Sequence, residues 1–219
     1  MAGDGRRSAS PRHEALARTR PLGVQLALLA VLLVAGWFLL FRQQPPGEIP
    51  QEALAAARAA GCDPLERPVV AEPARGHLSP GEPFAYEDPP AAAGPHDPSP
   101  LPTGVHDRPV AETRAVHNLE HGDVVIWYRP TADGGLSEAT VGALEDLARE
   151  RDGVIVAPYE DLPEGRSLAL LAWNVRWLCP AGLGPAPAVT IAEGFVGAFR
   201  GTTVAPEAPR GVFGPLLRP

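Results

Sequence analysis

Apolar side chains form one unbroken run early in the chain and afterwards recur at the spacings of short strands and amphipathic helices. Across residues 22–41 the only conventionally polar side chain is Gln25, and a helix of that length covers roughly 30 Å, the thickness of a bilayer's hydrocarbon core. Arg6, Arg7, Arg12, Arg18 and Arg20 precede the run against Asp4 and Glu14, so the positive-inside bias places the N-terminus in the cytoplasm and everything after the run outside. A cleaved signal peptide would have an apolar core of about 7–15 residues ending in small side chains. Here the run ends in Trp37, Phe38, Leu39, Leu40 and Phe41, which suits an uncleaved, single-pass anchor in membrane lipid.

Beyond the anchor the pattern breaks into shorter pieces. Residues 42–50 read as a Pro-containing stalk. Residues 51–60, rich in Ala with Glu52 in the first turn, predict a helix stopped by Gly61; with Leu54 as its one large apolar side chain, it should pack weakly. Residues 123–128 are β-branched and aromatic and predict a strand. Ser137 is a helix N-cap, after which Val141, Leu144, Leu147 and Ala148 recur at helical spacing until Gly153. Strands are predicted at 154–157 and 168–173, joined through Pro163, Glu164 and Gly165. A last helix at 190–200 aligns Ile191, Ala192, Phe195, Val196 and Phe199 on one face, with Gly201 as its stop. The order β-α-β-β-α predicts an α+β domain of two layers, a short mixed sheet with helices on one face. The chain thus divides into a cytoplasmic tail (1–21), a transmembrane helix (22–41), a stalk and short helix (42–60), an extracytoplasmic domain (61–207) and a C-terminal tail (208–219).

Charge and cysteine usage narrow the function classes. All 19 basic residues are arginine, a bias of GC-rich bacterial genomes that says nothing about function. Residues 42–219 hold 14 arginines against 24 carboxyl groups, a net charge of −10, which would repel nucleic acid. Cys62 and Cys179 are the only cysteines, and both fall on the outer side of the membrane, where an oxidising compartment allows them to pair. Two buried thiols, or a thiolate ligand, are the other readings.

Candidate chemistry is concentrated in histidine. The densest cluster is residues 117–122, His-Asn-Leu-Glu-His-Gly. If residues 116–121 form a helical turn, His117 and His121 at i and i+4 project from one face, close enough to share a metal ion. Glu120 would lie beside them, as a hydrogen-bond partner to an imidazole or as a base acting on bound water. The spacing His-x-x-Glu-His is that of inverzincin peptidases, but those place it within a long helix, whereas Gly122 and a strand follow here at once. Upstream, residues 87–110 carry seven prolines in 24 residues, so neither a long helix nor a central strand can cross them.

From His77 onward the chain resembles the bacterial "domain of unknown function 3105" family. The resemblance rests on His77-Leu78, Tyr86, Pro89-Pro90, Ala93-Gly94-Pro95-His96, Gly104-Val105-His106, Glu112 and the block 116–122, and later on Ala172-Trp173, Cys179, Phe195 and Pro206-Glu207. Ala93 stands where the family pattern has serine, His106 where it has tyrosine, and Asn174 where it has glycine. The resemblance implies that the Pro-rich segment is ordered, and it brings no reaction. An ordered loop carrying His96 beside His117 and His121 would complete a three-histidine set, the ligand number of an open zinc or copper site. Glu120 and Glu112 are candidate hydrogen-bond partners of those rings, and His77, His106 or Cys179 candidate further ligands. Three functions are then open: a module binding zinc or copper, a protein-interaction module in which histidine and glutamate only brace a loop, and a metal-dependent hydrolase. A non-enzymatic role is favoured, and no protein partner is specified.

Overall fold

The computed structural model describes residues 47–67, 76–202 and 205–208, together with Leu26, Leu29 and Val31. The chain divides into two compact units, Met1–Gln43 and Gln44–Pro219. In the first, the three described positions are helical and exposed. The rest of the expected membrane segment, the tail before it and the tail beyond Ala208 lie outside the described residues. Among the described residues no helix is long and apolar enough to cross a membrane.

The second unit mixes helices with one five-stranded sheet. Its elements are α1 (Gln51–Ala60), β1 (Gly104–Val105), α2 (Glu112–Glu120), β2 (Val124–Tyr128), a 3₁₀ turn (Thr131–Asp133), α3 (Glu138–Glu150), β3 (Val154–Pro158), β4 (Arg166–Ala172), β5 (Val175–Pro180) and α4 (Pro185–Phe199). The strand order is β1-β3-β2-β4-β5. β2 and β3, connected through α3, run parallel, while β4 is antiparallel to both β2 and β5. The β4–β5 hairpin turns at Trp173 and Asn174; Asn174, at φ 60°, holds the left-handed backbone that asparagine tolerates better than most side chains.

Side-chain alternation along the strands builds two cores. Val124, Ile126 and Tyr128 face one way with Val154, Val156, Leu168 and Leu170, against α1, α3 and α4. Val125, Trp127, Ile155, Ala157, Ala169 and Leu171 face the other way, against Ala115, Val116 and Leu119 of α2 and Ala91–Ala93 and Leu101 of the Pro-rich segment. The expected two-layer arrangement with all helices on one face is therefore corrected to three layers. The physical reason is in β2: each of its residues is buried and apolar, so both faces of the central sheet need cover.

Four further expectations change. The helix around His117 is not a single turn but spans Glu112–Glu120, β1 and β5 are additional strands, and α4 starts earlier, at Pro185. The helix at 51–60 forms as expected with Gly61 as its left-handed cap, but it does not pack weakly. Ala53 and Ala57 are buried, and α4 lets α1 approach so closely at Gly194 that an added Cβ would lie 2.4 Å from the Cβ of Ala53. Just past α1, Cys62 is joined to Cys179 of β5 by a disulfide, which removes both from the thiol and ligand readings.

The Pro-rich segment is fixed by hydrogen bonds to the elements around it. Arg176 of β5 donates to the carbonyl and carboxylate of Asp88, Glu112 accepts the Ala91 N–H at 2.6 Å, and the Asn174 N–H donates to Ala92. Asn118 clasps Leu101 by both its N–H (2.7 Å) and its C=O (3.0 Å). Paired backbone groups of this kind allow a long irregular segment to lie against a core.

Candidate metal centre

α2 sorts its side chains by direction. Ala115, Val116 and Leu119 enter the core, Asn118 holds Leu101, and His117, Glu120 and the C-cap residue His121 share the remaining side by their i, i+3, i+4 spacing. Gly122 ends the helix at φ +89° and sits so tightly that a Cβ would lie 3.1 Å from that of Ala208 and 3.3 Å from the Cα of Gly201. The short segment 205–208 is thereby drawn over the end of α2, with the Glu207 N–H donating to the Glu120 carbonyl.

The Pro-rich segment brings His96 to this side, and a parallel bridge between His77 and His96 adds a second strand of chain. One ligand nitrogen from each of His77, His96 and His117 lies within 4.8 Å of the others. The His77 and His117 rings stack at 5.2 Å, and His96 stands edge-on to both. Trp173, from the β4–β5 turn, walls His96 at 6.2 Å.

Hydrogen bonds fix which nitrogen each buried ring turns inward. His96 Nδ1 lies 2.8 Å from the Gly94 carbonyl and His117 Nδ1 lies 2.6 Å from that of Asp97. A carbonyl can only accept, so each Nδ1 carries the proton and each Nε2 of the neutral ring keeps its lone pair. Nε2 of His96 is buried and meets no hydrogen-bond geometry, although it makes an ion-pair contact with Oε2 of Glu120 at 3.0 Å. Two electron-rich atoms at that distance repel unless a positive charge is shared between them. An Nδ1–H committed to a carbonyl with Nε2 free is also the way metal-bound imidazoles are commonly held. Burial, reinforced by the neighbouring rings of His121, His96 and His77, holds His117 below the ordinary imidazole pKa despite its bond to Asp97, favouring the neutral ligand form.

The other candidates separate clearly. The His121 Nε2–H donates to Nε2 of His117 at 2.7 Å, but His121 does not belong to the group that shares the 4.8 Å spacing; its Nδ1 faces Glu207 at 3.6 Å. His77, a candidate further ligand by sequence, is in that group. His106 lies outside it, half-buried, with Nε2 2.9 Å from the Pro102 carbonyl. Glu112 is not beside the rings either: at the far end of α2 it accepts from Ala91 and, at 2.8 Å, from the Tyr159 hydroxyl. The sequence reading missed Trp173 and Glu207 as neighbours and the two carbonyls that orient the rings. Gly94 carried the one available signal, since it holds φ +136° and a Cβ there would press on Tyr86 at 3.0 Å.

A family model described as "Protein of unknown function (DUF3105)" matches residues 77–207, a stretch that contains every residue of this centre. Comparison with curated proteins and with solved structures gives no match.

Proposed function

Starting from a chain that belongs to the DUF3105 family of unknown function, we propose that it is a membrane-anchored extracytoplasmic domain that binds one transition-metal ion through His77, His96 and His117. The observation that carries this reading is the buried, unpartnered Nε2 of His96 held against the Glu120 carboxylate. A cation between them would relieve the repulsion, and His117 offers a second Nε2 fixed by the same device. The imidazole set suits zinc or copper(II); with Met1 as the only methionine, a thioether-rich copper(I) site is not available. Glu120 neutralises part of the ion's charge beside His96. The apolar run at 22–41 supports the anchor, and the Cys62–Cys179 disulfide supports an oxidising compartment. Storing, sensing or delivering the ion fits a site set at the domain surface, where His77 is exposed.

The full-length chain, purified in detergent without a histidine tag, should contain about one equivalent of zinc or copper by elemental mass spectrometry, as expected for a single three-histidine site. In the double variant His96→Asn, His117→Asn that content should fall to background while circular dichroism still reports a folded domain. The competing reading, favoured by the bonds these same rings make to the Gly94 and Asp97 carbonyls, is a network that only braces the loop. It gives a lower melting temperature in the variant and no metal in either protein.

A further inference from the structure

Side chains able to ligate a metal continue outward from the three-histidine group, contact by contact. Glu120 and His96 meet at its inner end, with side chains 7% and 0% exposed. His117 follows, 5% exposed as a residue. Next comes His121, whose Nε2 is 2.7 Å from Nε2 of His117, and then Glu207, 3.6 Å from Nδ1 of His121; their side chains are 42% and 54% exposed. The His117–His121 and His121–Glu207 contacts are short enough for one ion to exchange one ligand for the next, since metal–nitrogen bonds of about 2.0–2.1 Å bring two nitrogens on a common ion to about 3–4 Å of each other.

Glu207 is not a stray surface acid. Its backbone N–H is tied to the Glu120 carbonyl at 3.1 Å, and Ala205 and Ala208 on either side are buried in the α2-side core. The close approach at Gly122 holds the same strap in place, as does the Gly201 N–H bond to the Gly122 carbonyl at 2.7 Å. A carboxylate is thus fixed at the outer face of an imidazole whose inner face touches a ligand nitrogen.

Resting on the metal-binding reading above, we propose that His121 and Glu207 form an exchange track for the ion. His121 takes a divalent transition-metal ion on Nε2 as its ring proton moves to Nδ1, where the Glu207 carboxylate accepts it as a hydrogen bond, and passes the ion to Nε2 of His117 by ligand substitution. At each step one metal–ligand bond forms as another breaks, and no bare ion is released. The three-histidine group sets how much metal is held; the track sets how fast it comes and goes. His77 is exposed too, but as a member of the group, so its removal lowers the amount bound.

The test uses the full-length chain in detergent, loaded with zinc, and follows transfer of the ion to a chromogenic chelator by stopped flow. Loss of the track in His121→Ala should slow transfer about tenfold, equivalent to about 1.4 kcal/mol of barrier, and Glu207→Gln severalfold, with bound equivalents and melting temperature kept. His77→Ala, by contrast, should lower the bound equivalents. Unchanged or faster transfer in the two track variants overturns the proposal. So does loss of the bound equivalent in a folded His121→Ala protein, which would make His121 an integral ligand. If the wild-type chain takes up no zinc or copper at all, the metal-binding reading itself fails, and the track with it.

Discussion

His117, Asn118, Leu119, Glu120 and His121 are consecutive, yet each meets a different part of the molecule: the Asp97 carbonyl, the Leu101 backbone, the core, His96 and His117 itself. The sequence shows the side chains of that block, and helical spacing is enough to group His117, Glu120 and His121. It does not show the backbone carbonyls of Gly94 and Asp97, because a carbonyl has no residue identity and its position depends on the path of an irregular loop. His106 shows the reverse case, a histidine at a position where the family pattern has tyrosine, whose nitrogen is spent on a local carbonyl. Glu112 supports a residue-scale prediction. Burial raises its carboxyl pKa above the ordinary glutamate value, with the Ala91 N–H and Tyr159 O–H opposing only in part. A raised native pKa means that the fold favours the protonated form, so this contribution is complete below the ordinary value and is lost as pH rises through the raised one. Glu112→Gln keeps a carbonyl oxygen to accept from the Ala91 N–H and places an N–H against the Tyr159 oxygen where the carboxylate accepted, without the charge. In urea denaturation, the stability of the variant relative to the wild type should therefore increase from acidic toward neutral pH.

Among the elements, those with a one-sided pattern were legible and those defined by distant partners were not. α3 has a capping serine, a helical stripe and a glycine stop, and it forms where that pattern puts it, with the Ser137 Oγ accepting from the Thr140 N–H. β1 has two residues and exists only because β3 lies beside it, so no local signal could reveal it. β5 was hidden because its turn uses Trp173 and Asn174 instead of a glycine pair. The size of the apolar side chains of α1 predicts weak packing, but what matters is how closely its alanines approach α4. That contact is testable by filling it. Gly194→Val would drive a side chain into Ala53 and Pro50, and overpacking of a buried contact costs about 1–3 kcal/mol. Chemical denaturation should show a loss of that size with metal content unchanged, since the histidines lie on the opposite side of the sheet.

For the molecule as a whole, the sheet separates two tasks. One face, with α1, α3 and α4, holds the larger apolar core; the other carries α2, the Pro-rich segment and the histidines. The mixed α and β character followed from the order of the elements, but the second covered face did not, because the segment that covers it has neither helical nor strand periodicity. The disulfide crosses a further boundary. Cys179 lies inside the stretch that the family model matches and Cys62 outside it. A fragment cloned from residue 77 onward would lose α1 and leave Cys179 with a bare thiol on an uncovered strand. Purified in air, such a fragment should run as a covalent dimer on a non-reducing gel and collapse to monomer with dithiothreitol, whereas a chain that retains Cys62 should run as a monomer under both conditions. The sequence-family border is therefore the wrong place to cut: the smallest piece that can be expected to behave as the native protein begins upstream of α1.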